Sequence, residues 1–116
     1  FTPLPTLGAP FVQQSQSEDC DAPMALIQVE VADADGVPVP FIRVDVTWEG
    51  GADYFLTGFY PERGQGYGDF EMTPGVVYTL RVGESGQLVN GLTAPACTDD
   101  NGTAYWGGIR LFFAQP

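Results

Sequence analysis

The sequence predicts an all-β domain, seven strands in a two-sheet sandwich behind an extended Pro-rich N-terminal arm, and three observations carry that prediction. Apolar residues recur with a period of two: Ile27, Val29 and Val31 alternate with Gln28, Glu30 and Ala32, and Ile42, Val44, Val46 and Trp48 alternate with Arg43, Asp45 and Thr47. Successive side chains of a strand point to opposite faces, so each stretch offers one apolar face to a core. The segments are punctuated by 15 glycines and 10 prolines, residues that supply the positive or fixed φ of turns. No ten-residue window keeps an apolar stripe at helical spacing, so long helices are not expected. A chain of 116 residues is one domain that buries roughly two thirds of its unfolded surface, enough for a core without a metal.

Residues 1–19 read as the arm and residues 20–116 as the sandwich. Pro3, Pro5 and Pro10 within residues 1–14 favour an extended, polyproline-type tether. Phe1, Leu4, Leu7, Phe11 and Val12 give it apolar side chains that can dock on a neighbouring copy or fold back on the same domain. Residues 15–23 are polar and read as a turn region. The first strand starts at Met24, Asp33-Ala34-Asp35-Gly36 makes a tight turn, and the second strand runs from Phe41 to Trp48. After a turn over residues 49–53, a third strand spans residues 54–59, and the glycine-rich residues 60–68 read as a loop displaying Tyr60 and Tyr67. A short strand over 69–73 precedes the Pro74-Gly75 turn, and Tyr78, Leu80 and Val82 face inward in the strand that follows. The sixth strand covers 87–92, residues 93–103 form a long connection, and the last strand turns Ile109, Leu111 and Phe113 to the core.

The net charge of −11, with four arginines, no lysine and no histidine, excludes phosphate recognition through a basic face, so no nucleic-acid partner is expected. No apolar run approaches the length that spans a bilayer, and membrane insertion is not expected. The chain opens at Phe1 without a leader, which reads as a processed product or a piece of a longer chain. Cys20 and Cys97 sit at the edges of the strand region, and such a pair is expected to be bridged in a secreted, extracellular or cell-surface protein.

From the run Val31-Ala32-Asp33-Ala34-Asp35-Gly36-Val37-Pro38-Val39-Pro40, through the strand to Trp48, then Thr57, Gly68-Asp69-Phe70 and the Pro74 to Leu80 segment, the chain resembles carboxypeptidase regulatory-like domains. That group is allied to transthyretin-like and collagen-adhesin B-type modules. The resemblance implies an Ig-like or prealbumin-like sandwich of about seven strands. The placement of the two cysteines and the Pro-rich tether look like accessory modules of secreted bacterial surface proteins and cell-wall hydrolases. Collagen-adhesin B-type modules often close a Lys–Asn isopeptide bond, a device that a chain without lysine lacks.

Without histidine or lysine, and with both cysteines expected in a bridge, Ser15, Ser17 and Ser85 have no base to form a nucleophilic pair, and no catalytic residues are assigned. No cofactor is required. The metal reading is calcium, whose oxygen ligands could come from Asp33, Asp35, Asp99 and Asp100, although the DADG run matches only the opening of an EF-hand loop. The sugar reading places Tyr54, Tyr60, Tyr67, Tyr105 and Trp106 as stacking platforms for a polysaccharide. Asn101-Gly102-Thr103 fits both a hairpin turn and an N-glycosylation acceptor. The expected function is a non-catalytic structural or adhesive module, assembling in a surface layer or filament with other copies or adjacent domains through its arm. The alternative is a carbohydrate- or cell-wall-binding accessory module of a secreted hydrolase.

Overall fold

The computed structural model describes residues 10–21, 23–84 and 86–116. These form ten strands: β1 (Val12–Asp19), β2 (Leu26–Ala32), β3 (Arg43–Trp48), β4 (Gly51–Leu56), β5 (Tyr67–Glu71), β6 (Tyr78–Val82), β7 (Val89–Leu92), β8 (Ala96–Thr98), β9 (Ala104–Trp106) and β10 (Gly108–Ala114). The only helical turn among the described residues is a 3-10 turn at Pro61–Arg63. The protein is therefore all-β, with ten described strands where the sequence led us to expect seven.

One sheet has the order β1-β10-β2-β5 and the other β4-β3-β6-β7, with β8 and β9 in a separate ribbon. The β10–β2 pairing is parallel and the other ladders are antiparallel. The two four-stranded sheets enclose one core. Ile27, Val29, Val31, Ile109, Leu111 and Phe113 come from the first sheet, and Val44, Val46, Tyr78, Leu80, Val82 and Leu92 from the second. Their partners in alternation, such as Glu30, Thr47 and Arg110, are exposed, which is the period of two made physical. Trp48, Phe70 and Tyr78 close one end of this core, their ring centroids 5.5 to 5.9 Å apart.

Three segments depart from the expectation. Residues 12–19, assigned to the arm and a polar turn, form β1, which pairs with β10 from Val12↔Ala114 to Asp19↔Gly108. The strand is polar on both faces, so the alternation that marks the other strands is missing, yet backbone pairing needs no apolar side chain. The turn after Trp48 is only Glu49-Gly50, with Gly50 at φ 90°, and Trp48 pairs directly with Gly51. The Trp48 ring lies over Gly51, where a Cβ would come within 2.6 Å of it. Residues 93–103, read as a connection, contain β8 and the turn into β9.

Cys20 and Cys97 are bridged across a sequence separation of 77 residues. The bond ties the end of β1 to the β8–β9 ribbon, and the Tyr105 hydroxyl donates to the Cys20 carbonyl beside it. Gly107 is packed against this joint: a Cβ there would lie 2.6 Å from the Cys97 Sγ and 2.7 Å from the Asp19 carbonyl oxygen. Among the described residues no helix is long and apolar enough to cross a membrane.

Replacing both cysteines by alanine should lower stability by about 2–4 kcal/mol, because a long loop of the unfolded chain is released. Chemical denaturation of wild type with and without reductant, beside the double variant, checks this; coincident curves for all three would refute it.

Candidate functional site

The strands β4 and β5 are the free edges of their sheets on the same side of the sandwich. Between and beyond them lies an open groove of about 420 Å³ lined by Asp53, Tyr54, Phe55, Leu56, Phe59, Tyr60 and Asp69. Tyr54 and Tyr60 are about half exposed and Phe59 is 60 % exposed. Exposed large aromatics gathered in one concavity make this groove the candidate binding site.

Each platform is held from behind. The Arg43 guanidinium lies 4.0 Å from the Tyr54 ring centroid and is itself ion-paired to Asp45 at 2.8 Å. Tyr54 and Asp45 are cross-strand neighbours on β4 and β3, so the outer face of that sheet carries the brace while the ring borders the groove. Tyr60 stands edge-on to Tyr67, with centroids 6.1 Å apart. Tyr67 is not a platform: it is 4 % exposed and belongs to β5. Its hydroxyl donates to Asp69 Oδ2 at 2.9 Å and accepts from Arg63 Nη1 at 3.0 Å. Tyr67 thus supports Tyr60 on one side and orients the Asp69 carboxylate on the other.

Two of the three glycines that made residues 60–68 read as a loop, Gly66 and Gly68, serve close packing. At Gly66 a Cβ would sit 2.2 Å from the Val31 carbonyl oxygen, and at Gly68 it would sit 2.7 Å from the Phe55 ring. Only glycine lets β5 and the segment before it approach β2 and Phe55 so closely.

Phe41 extends the aromatic surface beyond the groove, and sequence reasoning did not single it out. Its ring meets Phe59 edge-on at 6.0 Å. Among the described residues it is the only non-glycine with positive φ, at 63°, a conformation that costs about 1–2 kcal/mol for a residue with a Cβ. Thr57, fully buried, enforces it. The Thr57 hydroxyl accepts the Ile42 N–H at 3.0 Å and donates to the Val39 carbonyl at 2.8 Å. The Thr57 carbonyl accepts the Phe41 N–H at 2.8 Å, and the Thr57 N–H donates to the Ile42 carbonyl at 3.1 Å.

The remaining expected site residues lie elsewhere. Tyr105 and Trp106 belong to β9, which leads into the Gly108 end of β10, opposite the end where Thr57 and Phe41 sit. Asp33 and Asp99 head two turns of the same construction. Asp33 Oδ1 accepts the N–H groups of Asp35 and Val37 at 2.9 and 3.0 Å, and Asp99 Oδ1 accepts those of Asn101 and Thr103 at 2.9 Å each. Gly36 and Gly102 complete the turns at φ 83° and 79°. These aspartates are turn caps. Asp35 and Asp100 are exposed beside them, and no three acidic, histidine or cysteine side chains among the described residues gather as a metal site would require. Of the arm residues, Phe11 is buried in the core beside Gly83 and Val12 opens β1. Phe1, Leu4 and Leu7 lie outside the described residues.

Burial, then the hydrogen bond to Asp69, raises the Tyr67 hydroxyl pKa above its ordinary value of 10.0. The unfolded chain therefore loses this proton first as pH rises, so the contribution of Tyr67 to stability is complete below pH 10 and is lost as pH climbs from there toward the folded value. Tyr67→Phe should flatten the alkaline limb of the stability–pH curve, measured by denaturant midpoints on both sides of pH 10; an unchanged limb would contradict the assignment. Thr57→Val leaves the Ile42 N–H and Val39 carbonyl unpaired and should cost about 2–4 kcal/mol, against about 1 kcal/mol for Thr57→Ser, which keeps the hydroxyl. Equal denaturation midpoints for the two variants would show that the hydroxyl is not what holds the loop. Set against models of known protein families and against curated proteins, the chain matches none.

Proposed function

We propose that this protein is a non-catalytic, secreted binding module that holds a polysaccharide of neutral or amine-bearing hexoses in the groove beside β4. The observation that carries the reading is the groove itself, with Tyr54, Phe59 and Tyr60 exposed together and Asp53 and Asp69 among them. The C–H face of a pyranose ring stacks on an aromatic face, and a carboxylate accepts hydrogen bonds from hydroxyl or ammonium groups. Asp53 and Asp69 are the acidic residues of the lining, and the chain carries a net charge of −11. A polyanion such as a polyuronate is repelled by both.

The Cys20–Cys97 bridge suits an oxidising, extracellular setting. The Ig-like or prealbumin-like type of sandwich, and kinship with carboxypeptidase regulatory-like accessory modules, belong to this same reading. A non-catalytic role accords with a chain that has no histidine or lysine and no free cysteine. Assembly with neighbouring copies through the N-terminal arm has less support, because Phe11 and Val12, two of its five docking residues, are built into their own domain.

Retention on a panel of insoluble polysaccharides, cellulose, chitin, chitosan and peptidoglycan, tests the proposal. At least one should retain the wild-type protein, Tyr54→Ala and Tyr60→Ala should abolish retention, and Trp106→Ala, at the far end of the sandwich, should leave it intact. No retention on any member would sink the reading.

A further inference from the structure

We infer that Phe41 is a ligand-contacting residue, a further aromatic platform that lengthens the groove beside β4; the inference rests on the polysaccharide reading of that groove. Phe41 is 66 % exposed, the most open of the large apolar residues among those described. It also holds a positive φ of 63°, a conformation disfavoured for a bulky residue. A phenyl ring in water adds little to folding, and a Cβ at positive φ opposes it.

The chain has a ready solution to that problem and uses it elsewhere. Gly36, Gly50, Gly58, Gly64, Gly75, Gly83, Gly91 and Gly102 take up positive φ among the described residues. Among the described residues, only at residue 41 does positive φ carry a side chain. Strain held in place by surrounding bonds, at an exposed position, points to a role for the side chain itself.

The surroundings say what that role is. Bonds between Thr57 and Val39, Phe41 and Ile42 fix the loop from the interior, so the ring is presented from a rigid base. Its neighbour is Phe59, 6.0 Å away, and Phe59 lines the groove. The two rings form one apolar surface continuous with Tyr54 and Tyr60. A short oligosaccharide is held by the groove residues alone, and a longer one reaches Phe41 as well. The contact that joins Phe41 to this surface is between two apolar rings, so the added contact is stacking on a sugar face.

The test uses the full chain, with soluble di- and hexasaccharides of the cellulose and chitosan series as probes. Phe41→Ala and Phe41→Gly should each weaken hexasaccharide binding roughly tenfold, the loss of one aromatic contact, with disaccharide binding unchanged. Phe41→Gly should also raise the thermal midpoint by about 4 °C, since glycine relieves the positive φ, while Phe41→Ala, which keeps a Cβ, should not. If hexasaccharide binding is lost in Tyr60→Ala but intact in both Phe41 variants, the inference is overturned and the groove reading stands. If the wild type binds neither series, the inference falls, and if the insoluble panel also retains nothing the groove reading falls with it. A lowered midpoint for Phe41→Gly also overturns the inference, because the ring would then be retained for folding.

Discussion

The parallel pairing of β2 with β10 is the constraint on which the sandwich depends. It sets Ile27 beside Ile109, Val29 beside Leu111 and Val31 beside Phe113, six buried side chains at the centre of one sheet. Without the last strand, β2 lacks one neighbour, β1 lacks its partner, and the core lacks Ile109, Leu111 and Phe113. The pairing joins the two ends of the chain, so its loop-closure entropy must be met before its contacts form. The Cys20–Cys97 bridge spans nearly the same interval, with a sequence separation of 77, and narrows the unfolded ensemble where closure is hardest.

Where burial follows alternation, the strands were legible in the sequence. Val44, Val46, Tyr78, Leu80, Val82, Ile109, Leu111 and Phe113 all face the core and all sit at every second position. The method fails where a strand is not amphipathic. Residues 12–19, VQQSQSED, form an edge strand with almost no buried side chain, so the only thing that defines it is a ladder of backbone hydrogen bonds to β10. The β8–β9 ribbon, three residues on each side, is too short to show a period. Its turn, in contrast, was readable from Asn101-Gly102, and Asp99 caps it as Asp33 caps the turn at Gly36.

The site was legible in its materials and not in its arrangement. Tyr54 and Tyr60 were identifiable as candidates from their position near strand ends. Nothing local distinguished them from Tyr67, which turned out to be a buried strut. Glycine has two uses, conformational freedom and close approach, and Gly66 and Gly68 have the second; a run of glycines was therefore read as a loop where a strand begins. Phe41 carried no signal at all. Positive φ at a residue with a side chain is imposed by tertiary contacts, here by Thr57 from a different part of the chain. The turn aspartates show the converse: one carboxylate oxygen of Asp33 and one of Asp99 accept backbone N–H groups of their own turns.

The antiparallel β1–β10 ladder also has a mechanical meaning. Val12 is paired with Ala114, so the start of β1 and the end of β10 lie side by side. Tension applied between these two residues loads the ladder in peeling mode, one backbone bond at a time, where strands pulled from opposite ends would resist in shear. Peeling can run only as far as Asp19, because at the next residue Cys20 is covalently held to Cys97. The edge strand is an element with a hard stop: under load it can open as far as Asp19, while Cys20 remains clamped.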